Sequence, residues 1–235
     1  VVSREDRRFF RHAGVDIQGV MRAFVATYVK KGATQGGSSL TQQYVKNVLL
    51  LQAQEDNDPI AEYHASEETV ARKLREMLIA VQMEKTYSKL EILQGYLNIA
   101  QFGRGIYGVE MAARRYFSTT ADKLDIVQAA TIAAITKNPA AFDPSVESNQ
   151  KASQRERNIV LDLMYQEEYI SQKQRDEAKA KPLKDTLKLQ DAQAGCSASG
   201  DAAFFCDYVT KKILNSKEFG KTIEERKKLL YEGGL

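Results

Sequence analysis

Apolar residues recur every three or four positions through most of this chain and hardly ever alternate with polar ones. The first clear run is Ile17, Val20, Met21, Phe24, Val25 and Tyr28. It predicts a helix capped by Asp16, with Val15 and Val20 as a hydrophobic staple, reaching about Tyr28. Lys30 to Gly37 reads as a glycine-rich loop. Ser39-x-x-Gln42 is a capping box, and it opens a helix through Gln43, Lys46 and Leu50. Residues 52–68 carry six acids, no Lys or Arg, a proline and no apolar period, and are expected to form a mobile loop. A further helix is expected from about Ser66, with Glu67 and Glu68 in its first turn. Val70, Leu74, Met77, Leu78 and Val81 would form its buried stripe, and Arg72, Lys73 and Glu76 would gather on a different face.

Ser88-x-x-Glu91 is another capping box, starting a helix over Leu90–Asn98. Gly103, Gly105 and Gly108 make a turn before Val109–Phe117, and residues 124–137 form an Ala/Ile-rich helix that stops at Asn138-Pro139. Arg155–Gln166 and Ser171–Ala180 carry two more helical patterns. A strand signal emerges only at Leu229–Leu235. The fold class is therefore mainly α.

Composition narrows the class further. The 235 residues are 43% hydrophobic and 28% charged, as in a soluble protein with a substantial core. A net charge of +3 argues against a nucleic-acid binder with a basic surface throughout. The charge is uneven, however. Residues 1–50 hold eight Lys/Arg against three Asp/Glu, leaving the remainder at −2. No apolar run approaches the roughly 18 residues of a membrane span. The start at Val1-Val2, with no cap before a helical pattern, suggests a longer protein upstream. Cys196 and Cys206 stand close together, either as free thiols or as a local disulfide; a disulfide would imply an oxidising compartment.

Three stretches carry chemistry. Arg4 to Gly14 sets Glu5 and Asp6 among four arginines, two phenylalanines and His12. As a helix it would put Glu5 on one face with Arg8 or Phe9, an acid beside a cationic rim that suits an anionic substrate and a proton transfer. Gly36-Gly37-Ser38-Ser39 leads into a helix N-terminus, where free backbone N–H groups can hold an anion, with Gln42, Gln43 and Lys46 beyond. Arg72-Lys73-x-x-Glu76 is the third. Taken singly, these are an ion-paired surface helix, an ordinary capped helix and an exposed ion pair. Their occurrence together and in this order is the informative feature.

Together they resemble the glycosyltransferase module of class A penicillin-binding proteins, glycosyltransferase family 51. The pattern E-D-x-x-F-x-x-H-x-G is matched by Glu5, Asp6, Phe9, His12 and Gly14, and G-G-S-[ST]-[IL]-T-Q-Q-x-x-K-N from Gly36 to Asn47. R-K-x-x-E is Arg72, Lys73 and Glu76. K-x-x-I-L-x-x-Y-L-N is Lys89, Ile92, Leu93, Tyr96, Leu97 and Asn98, and A-A-x-x-Y-F is Ala112, Ala113, Tyr116 and Phe117. Ser39 stands where Thr is commoner, and 52–68 is a longer connection than many members have. The resemblance covers residues 1–180.

It implies a lysozyme-like, two-lobed helical fold on the extracytoplasmic face of the cell membrane, joining lipid II units into β-1,4 glycan strands with release of undecaprenyl pyrophosphate. Glu5 would be the general base and Glu76 the second catalytic carboxylate. Lys46, Arg72 and Lys73 would cradle the pyrophosphate, with Ser38, Gln42, Gln43, Asn98 and Asp6 as further substrate-binding groups. No cofactor is required; some members place Mg or Mn at the pyrophosphate, where Glu5 and Asp6 would take part. Partners would be lipid II and the growing strand, the membrane surface, and phosphoglycolipid inhibitors of the moenomycin class. A transpeptidase domain would follow in the full-length chain. The expected division is a glycosyltransferase domain over 1–184, lacking its membrane anchor, and a C-terminal extension leading into a linker over 185–235. Phe24, Val25, Tyr28 and the run Val48–Leu51 are candidates for a lipid-facing patch. A lytic transglycosylase or lysozyme-like hydrolase also uses a glutamate on a helical fold, but has no use for a cationic pyrophosphate cradle.

Overall fold

Local capping starts most of the helices. In the computed structural model, which describes residues 1–24, 37–190 and 202–231, Ser39, Ser88, Asp125 and Ser171 each close a reciprocal capping box with the glutamine or glutamate three residues on. The elements in order are α1 (Val2–Glu5), α2 (Ile17–Phe24), α3 (Leu40–Glu55), α4 (Pro59–Ser66), α5 (Val70–Thr86), α6 (Lys89–Ile99), α7 (Val109–Phe117), α8 (Ile126–Ile135), α9 (Gln150–Gln166), α10 (Gln172–Ala180) and α11 (Leu183–Thr186). These lie in a first compact unit, Val1–Leu189; α12 (Ala203–Asn215) and α13 (Ile223–Tyr231) lie in a second, Gln190–Leu235. Among the described residues the only strand-like feature is one antiparallel bridge between Gln101 and Tyr107, so the mainly α class holds. No described helix is long and apolar enough to cross a membrane.

The first unit is built around α3 and α8. The helix α3 packs on α4, α5 and α6, while α8 packs on α7 and α9. One apolar core joins Phe9, Leu40, Ile92, Tyr96, Phe102, Tyr116 and Ile135; a second joins Val127, Ala130 and Ala134 of α8 to Val160 and Leu161 of α9. Seven of the ten residues of α8 are buried, which fixes where its C-terminus points.

Several expectations are overturned. The stretch Arg4 to Gly14 is not one helix: α1 ends at Glu5, Asp6 leaves the helical region at φ −156°, and a single 3-10 turn follows at Phe9–Arg11. The carboxylate of Asp6 has better partners outside a helix, as described below. Residues 52–68 do not form a loop. The helix α3 continues to Glu55, and α4 begins at Pro59, with Asp58 capping Ile60 and Ala61. Acid density reads as solvated loop, yet Asp-Pro is also a strong helix start. Ser66 therefore ends α4, and Thr69 rather than Ser66 caps α5.

The apolar row on α5 faces the wrong way for a core. Val70, Leu74 and Leu78 are 77%, 55% and 73% exposed, whereas Glu76 and Ala80 are buried. The inward face of α5 is the one with the charge cluster. Val48, Leu49, Leu50 and Leu51 are each half-buried along α3; Val25, Tyr28, Cys196 and the side chain of Phe24 lie outside the described residues. In the second unit, Leu229 to Tyr231 continue α13 instead of opening a strand, and Cys206 is disulfide-bonded.

Candidate active site

The site starts from the break after α1. Glu5 is the last residue of α1, and the chain then turns so that Asp6 points back into the fold. The Asp6 carboxylate accepts the Leu40 N–H at 3.0 Å and sits 2.8 Å from His12 Nε2. The first N–H groups of a helix lack partners within it, so Asp6 completes the N-terminus of α3 from 34 residues away. Phe9 is fully buried beneath the Lys89 ammonium, 4.5 Å from its ring centroid. Gly14 has φ +83°, and a Cβ there would lie 2.6 Å from the Val81 backbone nitrogen. Asp6, Phe9 and Gly14 of the Glu5 stretch thus each have a place in holding that stretch against α3, α5 and α6.

Glu5 itself is held by neutral donors. Gln43 Nε2 on α3 donates to Oε2 at 3.2 Å, and the Thr136 hydroxyl lies 3.0 Å from Oε1. Tyr96 on α6 donates its O–H to Gln43 Oε1 at 3.2 Å, so the Gln43 amide must turn its NH2 toward Glu5. Burial pushes the Tyr96 phenol up, and the Glu5 charge pushes it the same way, so Tyr96 stays a neutral donor. Among the described residues Glu5 makes no ion pair. An amide and a hydroxyl aim the carboxylate without neutralising it.

Glu76 has the opposite setting. Its side chain is 2% exposed and pairs with Arg72 Nη1 through one oxygen and with Lys73 Nζ, at 2.9 Å, through the other. Arg72 is held further by its Nε donating to the Glu67 carbonyl. The expected grouping of Arg72, Lys73 and Glu76 is therefore real, and it is turned inward. Lys73 keeps 38% of its side chain exposed and so reaches solvent from the cluster.

The link between the two carboxylates is α3. Thr41 Oγ1, at the start of α3, donates to Glu84, near the end of α5, which also takes Lys89 Nζ at 2.7 Å. At 1.5 Å per residue, Lys46 stands about 7.5 Å along α3 from Thr41, and Glu76 about 12 Å along α5 from Glu84. Lys46 also lies three residues after Gln43, one turn along the face that meets Glu5. Ser38 is half-buried just ahead of the Ser39 cap, and Asn98 is exposed near the end of α6. Gln42 is buried and its Oε1 accepts the Ser39 N–H, so this side chain faces the helix start.

Glu5 and Asp6 do not converge as a cation site. Glu5 faces Gln43 and Thr136, while Asp6 faces Leu40 and His12. One oxygen, Asp6 Oδ1, is buried without a partner. Among the described residues no three His, Cys, Asp or Glu side chains are gathered for a metal ion. Sequence reasoning missed Thr136, which is 131 residues from Glu5, and Glu84, which joins α3, α5 and α6. Of that junction, Thr41 and Lys89 stand in recognisable motifs and Glu84 does not.

A family model described as transglycosylase matches residues 1–165. Penicillin-binding protein 1A of Aquifex aeolicus is 39% identical over 214 residues, 91% of this chain and 26% of that protein. Penicillin-binding protein 1A/1B of Bacillus subtilis is 35% identical over 213 residues, 90% of this chain and 22% of that protein. The chain thus spans about a quarter of the length of these relatives. A crystal structure of penicillin-binding protein 1A from Haemophilus influenzae aligns with 73% of this chain and 20% of its own at 23% identity, with a TM-score of 0.37, too loose to bear on the fold.

Proposed function

The chain belongs to the transglycosylase family, and from that premise we propose that it is a peptidoglycan glycosyltransferase that polymerises lipid II into β-1,4 glycan strands. The observation that carries the reading is the contrast around two glutamates: one aimed by neutral donors, the other neutralised by Arg72 and Lys73.

In this reading Glu5 takes the proton from the acceptor sugar's 4-hydroxyl as that oxygen bonds to C1 of the donor. The C1–O bond to pyrophosphate breaks, and its electron pair leaves with undecaprenyl pyrophosphate. An α-linked donor gives a β-linked product, so the displacement inverts. A carboxylate tied to a lysine or arginine would be a poorer base, and Glu5 has neither as an ion-pair partner among the described residues. The leaving group is already stable as an anion, so cations can take the place of a general acid. Arg72, Lys73 and Lys46 fill that part, and Glu76 orients the first two. Gln43 holds both Glu5 and a place beside the substrate; Ser38 and Asn98 line its approach, and Gln42 and Asp6 fix the helix start that carries them.

The substrate is lipid-borne, so the module works at a membrane surface, on the extracytoplasmic face. The exposed row Val70, Leu74 and Leu78, together with exposed Ile17 and Met21, supports a lipid-facing side. The disulfide at Cys206 supports an oxidising compartment. A lysozyme-like pair of lobes, a transpeptidase domain beyond this chain and inhibition by phosphoglycolipids belong to the same reading. The test is direct: incubate the chain with labelled lipid II in detergent and separate the products on a gel. Polymer supports the proposal. Cleavage of finished glycan, or no reaction, overturns it.

A further inference from the structure

We infer that Thr136 is a positioning residue for the Glu5 carboxylate, an inference that rests on the glycosyltransferase reading of Glu5. The geometry begins with α8. With seven of its ten residues buried its C-terminus is fixed, and Ile135, the last helical residue, is locked in the same core as Phe9 and Leu40. Thr136 follows as the C-cap, at φ −53° and ψ −32°, where its side chain continues the helical course. Being β-branched, it has few side-chain rotamers to choose from. Its hydroxyl stands 3.0 Å from Glu5 Oε1 and 2.9 Å from the Ala133 carbonyl.

A hydroxyl has one proton and two acceptors compete for it here. A carboxylate is a stronger acceptor than an amide carbonyl, so the ionised base draws the Thr136 proton to itself. A glutamate side chain has three rotatable bonds, and one donor cannot fix its plane. Gln43 holds Oε2 from α3; Thr136 holds Oε1 from the end of α8. Two donors from two elements set both the position and the plane of the carboxylate, and with them the direction of the lone pair that receives the substrate proton.

The second acceptor matters for turnover. As Glu5 takes the sugar's proton it becomes a weaker acceptor, and the Thr136 hydroxyl turns to Ala133. The residue therefore aims the base in its charged state and gives it up at little cost once it is neutral. Nothing else among the described residues donates to Glu5 Oε1.

The experiment measures polymerisation of labelled lipid II by the wild type, Thr136→Val and Thr136→Ser, each also in a Glu5→Gln background. Thr136→Val should lower kcat about 10-fold, less than the roughly 100-fold that a misplacement of 1 Å can cost, with KM changed by less than about 2-fold. Thr136→Ser keeps the donor and should restore most of the rate. In the Glu5→Gln background, where the base is already gone, Thr136→Val should change the residual rate by less than about 2-fold. A kcat like the wild type's, an equal loss in both backgrounds, or no rescue by serine would each overturn the inference. If Thr136→Val does not fold by circular dichroism, Thr136→Ala against Thr136→Ser reads the same hydroxyl. A wild type that makes no polymer defeats the function itself; a wild type that polymerises beside an unaffected Thr136→Val defeats only the role of Thr136.

Discussion

Glu5, bonded to Gln43 of α3, and Glu76, on the α5 helix packed against α3, differ in what holds them. Glu5 is half-buried, bonded to an amide and a hydroxyl; Glu76 is buried, between a guanidinium and an ammonium. The same side chain becomes a base in one setting and a counter-ion in the other. Environment, more than residue type, divides the work.

The largest effect should come from removing the base. Glu5→Gln keeps the shape and an acceptor oxygen, so turnover should fall at least about 100-fold while ligand binding survives. Its partners are neutral, so stability should change by less than about 1 kcal/mol. Near-normal polymerisation by this variant would erase the distinction between the two glutamates. Glu76→Gln should behave in the reverse way. It strands Arg72 and Lys73 together and should cost roughly 2 kcal/mol in urea unfolding, below the about 3–5 kcal/mol of a fully buried broken pair because Lys73 reaches water. An unfolding midpoint like the wild type's would show the cluster to be dispensable to the fold.

The cations sharpen the comparison next. Arg72→Ala, Lys73→Ala and Lys46→Ala should each weaken binding of a phosphoglycolipid inhibitor by roughly 10-fold, the scale of one lost charge-assisted contact. The loss should shrink as salt rises. Glu5→Gln should bind it as the wild type does. Three alanine variants with unchanged affinity would remove the cradle from the proposal. On the outer side of the same helix, Leu74→Ser with Leu78→Ser should leave stability within about 0.5 kcal/mol, since both residues already meet solvent. Vesicle flotation should nevertheless fall. Equal flotation would take this row out of the membrane contact.

A third carboxylate gives the smallest effect. Burial alone would raise the Asp16 carboxyl, but Arg8 and the Gly19 N–H together hold it below its ordinary 3.8. A carboxyl lowered by folding stabilises the protein fully above its unfolded value, and that contribution disappears as pH falls through the lower folded value. The stability difference between wild type and Asp16→Asn should be flat above about pH 5 and narrow progressively below it. A difference that stayed constant down to strong acid would contradict the Arg8–Asp16 pairing.

What the sequence made legible was what short-range geometry decides. Ser39, Ser88 and Ser171 announce their helices because a capping box needs only four consecutive residues. Arg72, Lys73 and Glu76 meet because helical spacing brings them together whatever lies outside. The orientation of α5 was hidden. An apolar row ordinarily turns inward, and here α3 presents polar partners, Thr41 among them, to the other face. The break after Glu5 was hidden for the same kind of reason, since it is set by the distant Leu40 N–H. Thr136 carries no motif at all and becomes visible only when α8 is placed.

Gly14 has one more implication, and it is genetic. Its left-handed backbone and its approach to the Ala80 carbonyl, 2.7 Å from where a Cβ would stand, exclude every side chain. Any missense change in that codon therefore adds atoms against the backbone of α5 and lifts away the segment that carries His12 and, behind it, Asp6. The protein would remain largely helical while the carrier of Glu5 loosened. Alleles at this position should fail first at elevated temperature, and suppressors should arise in α5 around Ala80 and Val81 rather than in the residues that touch substrate.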